Sequence, residues 1–152
     1  MSDQSSTPSE PSFVHDRDLV VGVAGAGTMG AGIAQVAAWA GHRVVLYDIR
    51  EDFVARGIDT LSRFLKRGAE KGRHSAGDAE AAIKRVASTT DLEDFAPCGL
   101  VVEAAPERLE IKHELFGGLE SVVDPDAILA TNTSTLSVAA IARVLERPER
   151  AC

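Results

Sequence analysis

With 152 residues, the chain is long enough to bury one sizeable core but short for two, so a single domain is the default. Its 45% hydrophobic and 26% charged residues are those of an ordinary globular domain. The formal net charge of −7 argues against nonspecific binding to nucleic acid or to an anionic membrane surface, since both need a cationic face; any anionic ligand must be held by local groups.

The first 17 residues are rich in Ser, Pro and acids and lack the apolar core of a signal peptide. They read as a disordered tail, with His15 inside it. No stretch approaches the roughly 18 uninterrupted apolar residues of a membrane span, and the expected location is the cytoplasm. Only Cys98 and Cys152 are present, and neither belongs to a CxxC or Cys/His cluster, so no disulfide framework and no metal site is expected.

From Leu19 onward, strand-like apolar runs alternate with amphipathic segments. The runs are Leu19–Ala24, Arg43–Tyr47, a weaker one at Arg85–Thr89, Leu100–Glu103 and Ala127–Thr131. Several are apolar at consecutive positions, the pattern of a parallel strand covered on both faces. Helices are predicted at Met29–Ala40, Glu51–Ala69, Asp78–Lys84, Arg108–Val123 and Ser137–Leu145, with Arg67–Gly77 as a polar loop joining two of them. In the fourth helix, Ile111, Leu115, Leu119 and Val122 recur at helical spacing and predict one buried stripe. Strand then helix, repeated, requires crossover connections and a parallel sheet. The predicted fold class is therefore α/β, a Rossmann-type doubly wound and mainly parallel sheet with helices on both faces, over residues 18–152.

Gly25, Gly27 and Gly30 form the segment GAGTMG between the first strand and the first helix. The three glycines meet different physical needs, namely a tight turn, close approach of backbone to a pyrophosphate, and close packing of helix on strand. The helix N-terminus adds unpaired N–H groups and a positive dipole end. The second strand ends in Asp48, 23 residues after Gly25, where an acid can accept hydrogen bonds from ribose hydroxyls and repel a 2′-phosphate. This favours NAD over NADP, although Arg50 could accept that phosphate. Ligands of open α/β sheets bind beyond the carboxyl ends of the strands. Asp48, the EAAPER segment 103–108 and the TNTST segment 131–135 should thus share one crevice with the glycine loop.

The segments GVAGAGTMGAGIAQVAAWAGHRVVLYD, GLVVEAAPERLEIKHELFGGLE and ILATNTSTLSVAAIA resemble the N-terminal, NAD-binding domain of the L-3-hydroxyacyl-CoA dehydrogenase family, which includes 3-hydroxybutyryl-CoA dehydrogenases. The resemblance implies that Gly25, Ala26, Gly27, Thr28, Met29 and Gly30 wrap the pyrophosphate and that Asp48 holds the adenine-side ribose. It implies that Glu107 and Lys112 contact the nicotinamide half. The plainer reading of these two is a residue favouring a helix N-terminus and a solvated charge. Asn132 and Ser134 match the family's turn beside nicotinamide and substrate, where a hydroxyl can hydrogen-bond the substrate's 3-oxygen; Thr135 or Ser137 is left to cap the last helix. The family's coenzyme A contacts fall where this chain has Thr60, Ser62, Lys66 and Lys71, too loosely matched for assignment.

The family's general base is a histidine in a GxHFFN segment expected just after RPERAC, and the chain stops at Cys152. His15, His42, His74 and His113 match no such role. The helical C-terminal domain that makes the family's homodimer and completes the acyl-CoA cleft is expected to be missing as well. Hydride transfer needs alcohol, base and nicotinamide held together, so the chain alone is expected to bind NAD and turn over little. Two alternatives stay open: a stand-alone dinucleotide-binding module, and another NAD(P)-dependent dehydrogenase of the 3-hydroxyacid or 6-phosphogluconate type, though those lack the paired VVEAAPERLEIK and TNTST segments.

Overall fold

The computed structural model describes residues 18–152; the predicted disordered tail and His15 lie outside the described residues. Five parallel strands are present: β1 (Val20–Ala24), β2 (Arg43–Tyr47), β3 (Val86–Thr89), β4 (Cys98–Glu103) and β5 (Ile128–Thr131). They lie in the order β3-β2-β1-β4-β5. Among the described residues four α-helices lie between strands, α1 (Thr28–Trp39), α2 (Glu51–Glu70), α3 (Ala76–Lys84) and α4 (Leu109–Val122), and α5 (Val138–Ala142) follows β5. The order reverses at β1, whose neighbours are β2 and β4, and this is the switch point at which a doubly wound sheet opens a crevice.

The two-residue period of the strands divides the core. Val21, Val23, Val44 and Leu46 meet α1, α2 and α3 through Ala34, Ala38, Leu61, Leu65 and Ala79 on one face. Val20, Ala24, Val45 and Val101 meet Phe116, Leu119, Ile141 and Phe95 on the other. Consecutive apolar residues in the strands are thus buried on opposite sides, as a covered parallel sheet requires.

Three boundaries depart from expectation by two residues or more, the start of α3, the end of α5 and the start of β4. The polar loop shrinks to residues 71–75, because α2 continues to Glu70 and α3 starts early on a capping box: Ser75 Oγ accepts from Asp78 N–H at 3.0 Å, and Asp78 Oδ2 accepts from Ser75 N–H at 3.3 Å. The last helix stops at Ala142 rather than Leu145, since the Glu120 carboxylate accepts the N–H groups of Glu146 and Arg147 at 2.8 and 3.1 Å and draws the chain away. β4 begins at Cys98, two residues earlier than the apolar run.

The buried stripe of α4 is also rotated by about one residue from the predicted one. Lys112, Phe116 and Leu119 face the core and Val123 continues the line, while Ile111, Leu115 and Val122 are only partly buried. A lysine occupies the position that an apolar pattern could not reveal.

Candidate functional site

The glycine loop meets two of the three expected needs, the tight turn and the close packing of helix on strand. Gly25 adopts φ +117°, and a Cβ there would lie 2.5 Å from Ala104 O, so the exit of β1 is pressed against the exit of β4. A Cβ on Gly30 would lie 1.7 Å from Gly25 O, which brings α1 directly onto the turn. Around Gly27 a Cβ would meet nothing within 4 Å. The backbone is bare there without any internal need, and the space is open to a ligand. Gly27 is also the N-cap of α1, with no side-chain cap and no acid in the first turn, so the leading N–H groups remain available to an anion.

Asp48 stands at the end of β2 beside this loop. Its Oδ2 accepts from Ala26 N–H at 2.8 Å and its Oδ1 from Ile49 N–H at 2.8 Å. The carboxylate therefore ties the second strand to the glycine turn. A cleft of about 900 Å³ opens over them, within the range of small-molecule sites. Tyr47, Ile49 and Phe53 line it, and so do Ile111 and Leu115, two α4 side chains that are only partly buried. Sequence reasoning missed these apolar walls; the available signal was a helix with more apolar positions than one buried face can use. Tyr47 has its phenol pushed up by burial and then by Asp48 and Asp91. Arg50, the one residue that weakened the preference for NAD, points instead at Asp52, with contacts of 2.8 and 3.1 Å, and lies 4.7 Å from the Phe53 ring centre. Of the loosely matched residues on α2 and after it, Thr60 reaches the cleft, while Lys66 and Lys71 are exposed.

A smaller recess of about 260 Å³ continues past Met29, lined by Glu103, the 104–107 loop, Lys112 and Asn132. Lys112 is no solvated charge: it is fully buried, with Nζ 2.7 Å from Glu103 Oε1 and 3.2 Å from Glu107 Oε2. Glu107 also accepts from Thr133 Oγ1 at 2.7 Å. That bond, then Lys112 and the Ser134 backbone, hold its carboxyl below the usual glutamate range against a raising effect of desolvation. Asn132 donates its N–H to Glu103 O at 2.8 Å, which continues the β4–β5 pairing into the turn. Ser134 is exposed and lines neither space. Ser137, as expected, caps α5, accepting from Ala140 N–H at 3.4 Å.

The three described histidines are engaged elsewhere. His42 Nδ1 lies 3.2 Å from Leu19 O, the His74 ring packs 4.4 Å from Trp39, and His113 Nε2 lies 2.8 Å from Ala140 O. Among the described residues, no group of three or more His, Cys, Asp or Glu could hold a metal ion.

Comparison with known proteins adds what geometry alone does not. The family model for the NAD-binding domain of 3-hydroxyacyl-CoA dehydrogenase matches residues 20–152. The chain belongs to this family. It is 46% identical over 130 residues to 3-hydroxyadipyl-CoA dehydrogenase of Escherichia coli K12, covering 86% of this chain and 27% of that protein. It is 46% identical over 127 residues to a probable 3-hydroxybutyryl-CoA dehydrogenase of Deinococcus radiodurans, covering 84% and 45%. The crystal structure of 3-hydroxybutyryl-CoA dehydrogenase from Escherichia coli K12 superimposes with a TM-score of 0.85 at 45% identity, covering 88% of this chain and 28% of that one. This 3-hydroxyacyl-CoA dehydrogenase NAD-binding domain thus spans between about a quarter and a half of such relatives. NAD is the cofactor of the matched domain. The residues present fit it, with an open glycine cradle, an acid at the end of β2 and a cleft of suitable volume.

Proposed function

We propose that this domain is the NAD-binding half of an NAD-dependent 3-hydroxyacyl-CoA dehydrogenase, and that the full enzyme interconverts a 3-hydroxyacyl-CoA and its 3-keto form. Bound NAD supplies the hydride acceptor. The loop Gly25, Ala26, Gly27, Thr28, Met29 and Gly30 wraps the pyrophosphate, and Asp48 orients the adenine-side ribose. The leading N–H groups of α1 receive the pyrophosphate, since Gly25 N–H is given to Tyr47 O and Ala26 N–H to Asp48. Glu107 and Lys112 orient the nicotinamide half. Asn132 and Ser134, from the turn after β5, stand beside the substrate's 3-oxygen, where a hydroxyl donor stabilises charge that develops on that atom. The observation that carries this reading is the open space at Gly27, on the same crevice as Asp48 and the recess of Glu107 and Lys112.

The reading extends to an acyl-CoA substrate and a homodimer when a helical C-terminal domain is attached, and to a role in fatty-acid metabolism. A cytoplasmic location is supported by two free thiols, Cys98 and Cys152, of the kind a reducing compartment preserves.

Calorimetric titration tests the proposal. NADH should bind the 152-residue chain, and Asp48→Ala should weaken binding about tenfold, the equivalent of one charge-assisted hydrogen bond. Acetoacetyl-CoA reduction by the chain should stay near background. Absence of NADH binding, or an Asp48→Ala variant of unchanged affinity, would refute the cofactor pose; rapid turnover would refute the division of labour with a second domain.

A further inference from the structure

Glu103, at the end of β4, is a carboxylate with no exposed surface. Burying such a charge is costly unless it is paired and fully hydrogen-bonded, and here both oxygens are committed. Oε1 accepts from Lys112 Nζ at 2.7 Å and from Ala105 N–H at 2.5 Å; Oε2 accepts from the Thr131 hydroxyl at 2.6 Å. Lys112 continues to Glu107 at 3.2 Å, Glu107 accepts from Thr133 Oγ1 at 2.7 Å, and Thr133 N–H returns to Thr131 Oγ1 at 3.2 Å. The contacts close into a ring.

This ring fastens three separate segments: the 103–107 exit of β4, the start of α4 and the turn after β5. Those segments carry Glu107, Lys112, Asn132 and Ser134, the nicotinamide side of the reading above. Lys112 has three N–H donors and three acceptors around it, the third being Ala105 O at 3.4 Å, so its ammonium is held in one orientation. A buried ion pair is a poor means of stabilising a fold, because apolar residues of similar size do as well or better. A fully satisfied polar network instead specifies one arrangement of the groups it joins.

We propose that Glu103 is a positioning residue for the nicotinamide side of the site, setting Lys112 and the 131–134 turn at a fixed spacing beneath it. The proposal rests on the assignment of that side made above.

The test compares two ligands by calorimetry, NADH and ADP, of which the second carries only the adenine half. Glu103→Gln should weaken NADH about tenfold, the loss of one oriented charged contact, and leave ADP within about twofold. Equal losses on both ligands would make Glu103 merely structural, and no loss on either would deny it any role; both results overturn the proposal. Should Glu103→Gln fail to fold, Thr131→Val opens the ring at a neutral link and should weaken NADH about threefold with ADP unchanged, the same two adverse results counting against it. A wild-type chain that binds NADH no more tightly than ADP would instead overturn the underlying assignment, and this proposal with it.

Discussion

Gly25 and Gly27 stand two residues apart and should fail in opposite ways when given a methyl group. At Gly27 the backbone has φ −68° and ψ −172°, which alanine adopts freely, and a Cβ meets nothing within 4 Å. Replacing glycine at a compatible position gains about 0.4–1 kcal/mol from the unfolded chain, while losing glycine as an N-cap costs about as much. Gly27→Ala should therefore melt within about 2–4 °C of the wild type, the shift that 1 kcal/mol produces in a chain of this size. Its methyl group, however, occupies the open space to which the pyrophosphate is assigned in the proposed function. A displaced phosphate loses at least one charge-assisted amide bond, about 1.5–3 kcal/mol, so NADH affinity should fall at least about tenfold. At Gly25, φ +117° and the 2.5 Å approach to Ala104 O strain any side chain. Backbone strain of about 1–3 kcal/mol and overpacking of similar size predict a fall in melting temperature of roughly 5–20 °C. Circular dichroism melts without cofactor and calorimetric titration of the same samples decide the matter. A Gly27→Ala variant that binds NADH like the wild type, or one that melts as low as Gly25→Ala, would refute the separation of cradle from turn.

The two remaining predictions concern titratable groups. The lowered Glu107 carboxyl contributes stability that is fully present above the ordinary glutamate value and is lost as pH falls through the lower folded value. Wild type and Glu107→Gln should thus differ most in denaturant midpoint near about pH 6 and converge toward about pH 3; a gap constant across that range contradicts the contacts with Thr133 and Lys112. Burial pushes the Cys98 thiol up to about 12, so a disulfide reagent at neutral pH should modify the exposed Cys152 rapidly and Cys98 only on unfolding. Two fast-reacting thiols in the native chain would show that the face holding Phe95 and Val101 is open.

The centre of the sheet was legible because β1 is buried on both sides and writes its burial into consecutive residues such as Val20, Val21 and Val23, whereas the edge strand β3, exposed at Ala87 and Ser88, left only a weak run. Less was legible wherever a distant side chain decided the outcome. The end of α5 depends on Glu120, which lies 26 residues before the N–H group it captures at Glu146. The rotation of α4 depends on a lysine that is buried only because Glu103, from another element, neutralises it. A pattern of apolar spacing has no means of recognising a paired charge as core.

The same distinction separates the two ends of the candidate site. The proposed pyrophosphate end is made of backbone, and a tight strand-to-helix turn demands glycine at fixed positions, so the turn from Gly25 to Gly30 and the acid at the end of β2 were visible as a local pattern. The proposed nicotinamide end is made of side chains whose partners are remote in sequence: Glu103 meets Lys112 across 9 residues and Thr131 across 28. One local signal was available, since Lys112 shares a helical face with Phe116 and Leu119, and a lysine on a buried stripe requires an acid within reach. The structure supplies that acid from the carboxyl end of the neighbouring strand, beneath the recess, where a charge needed only for stability would have been replaceable by packing.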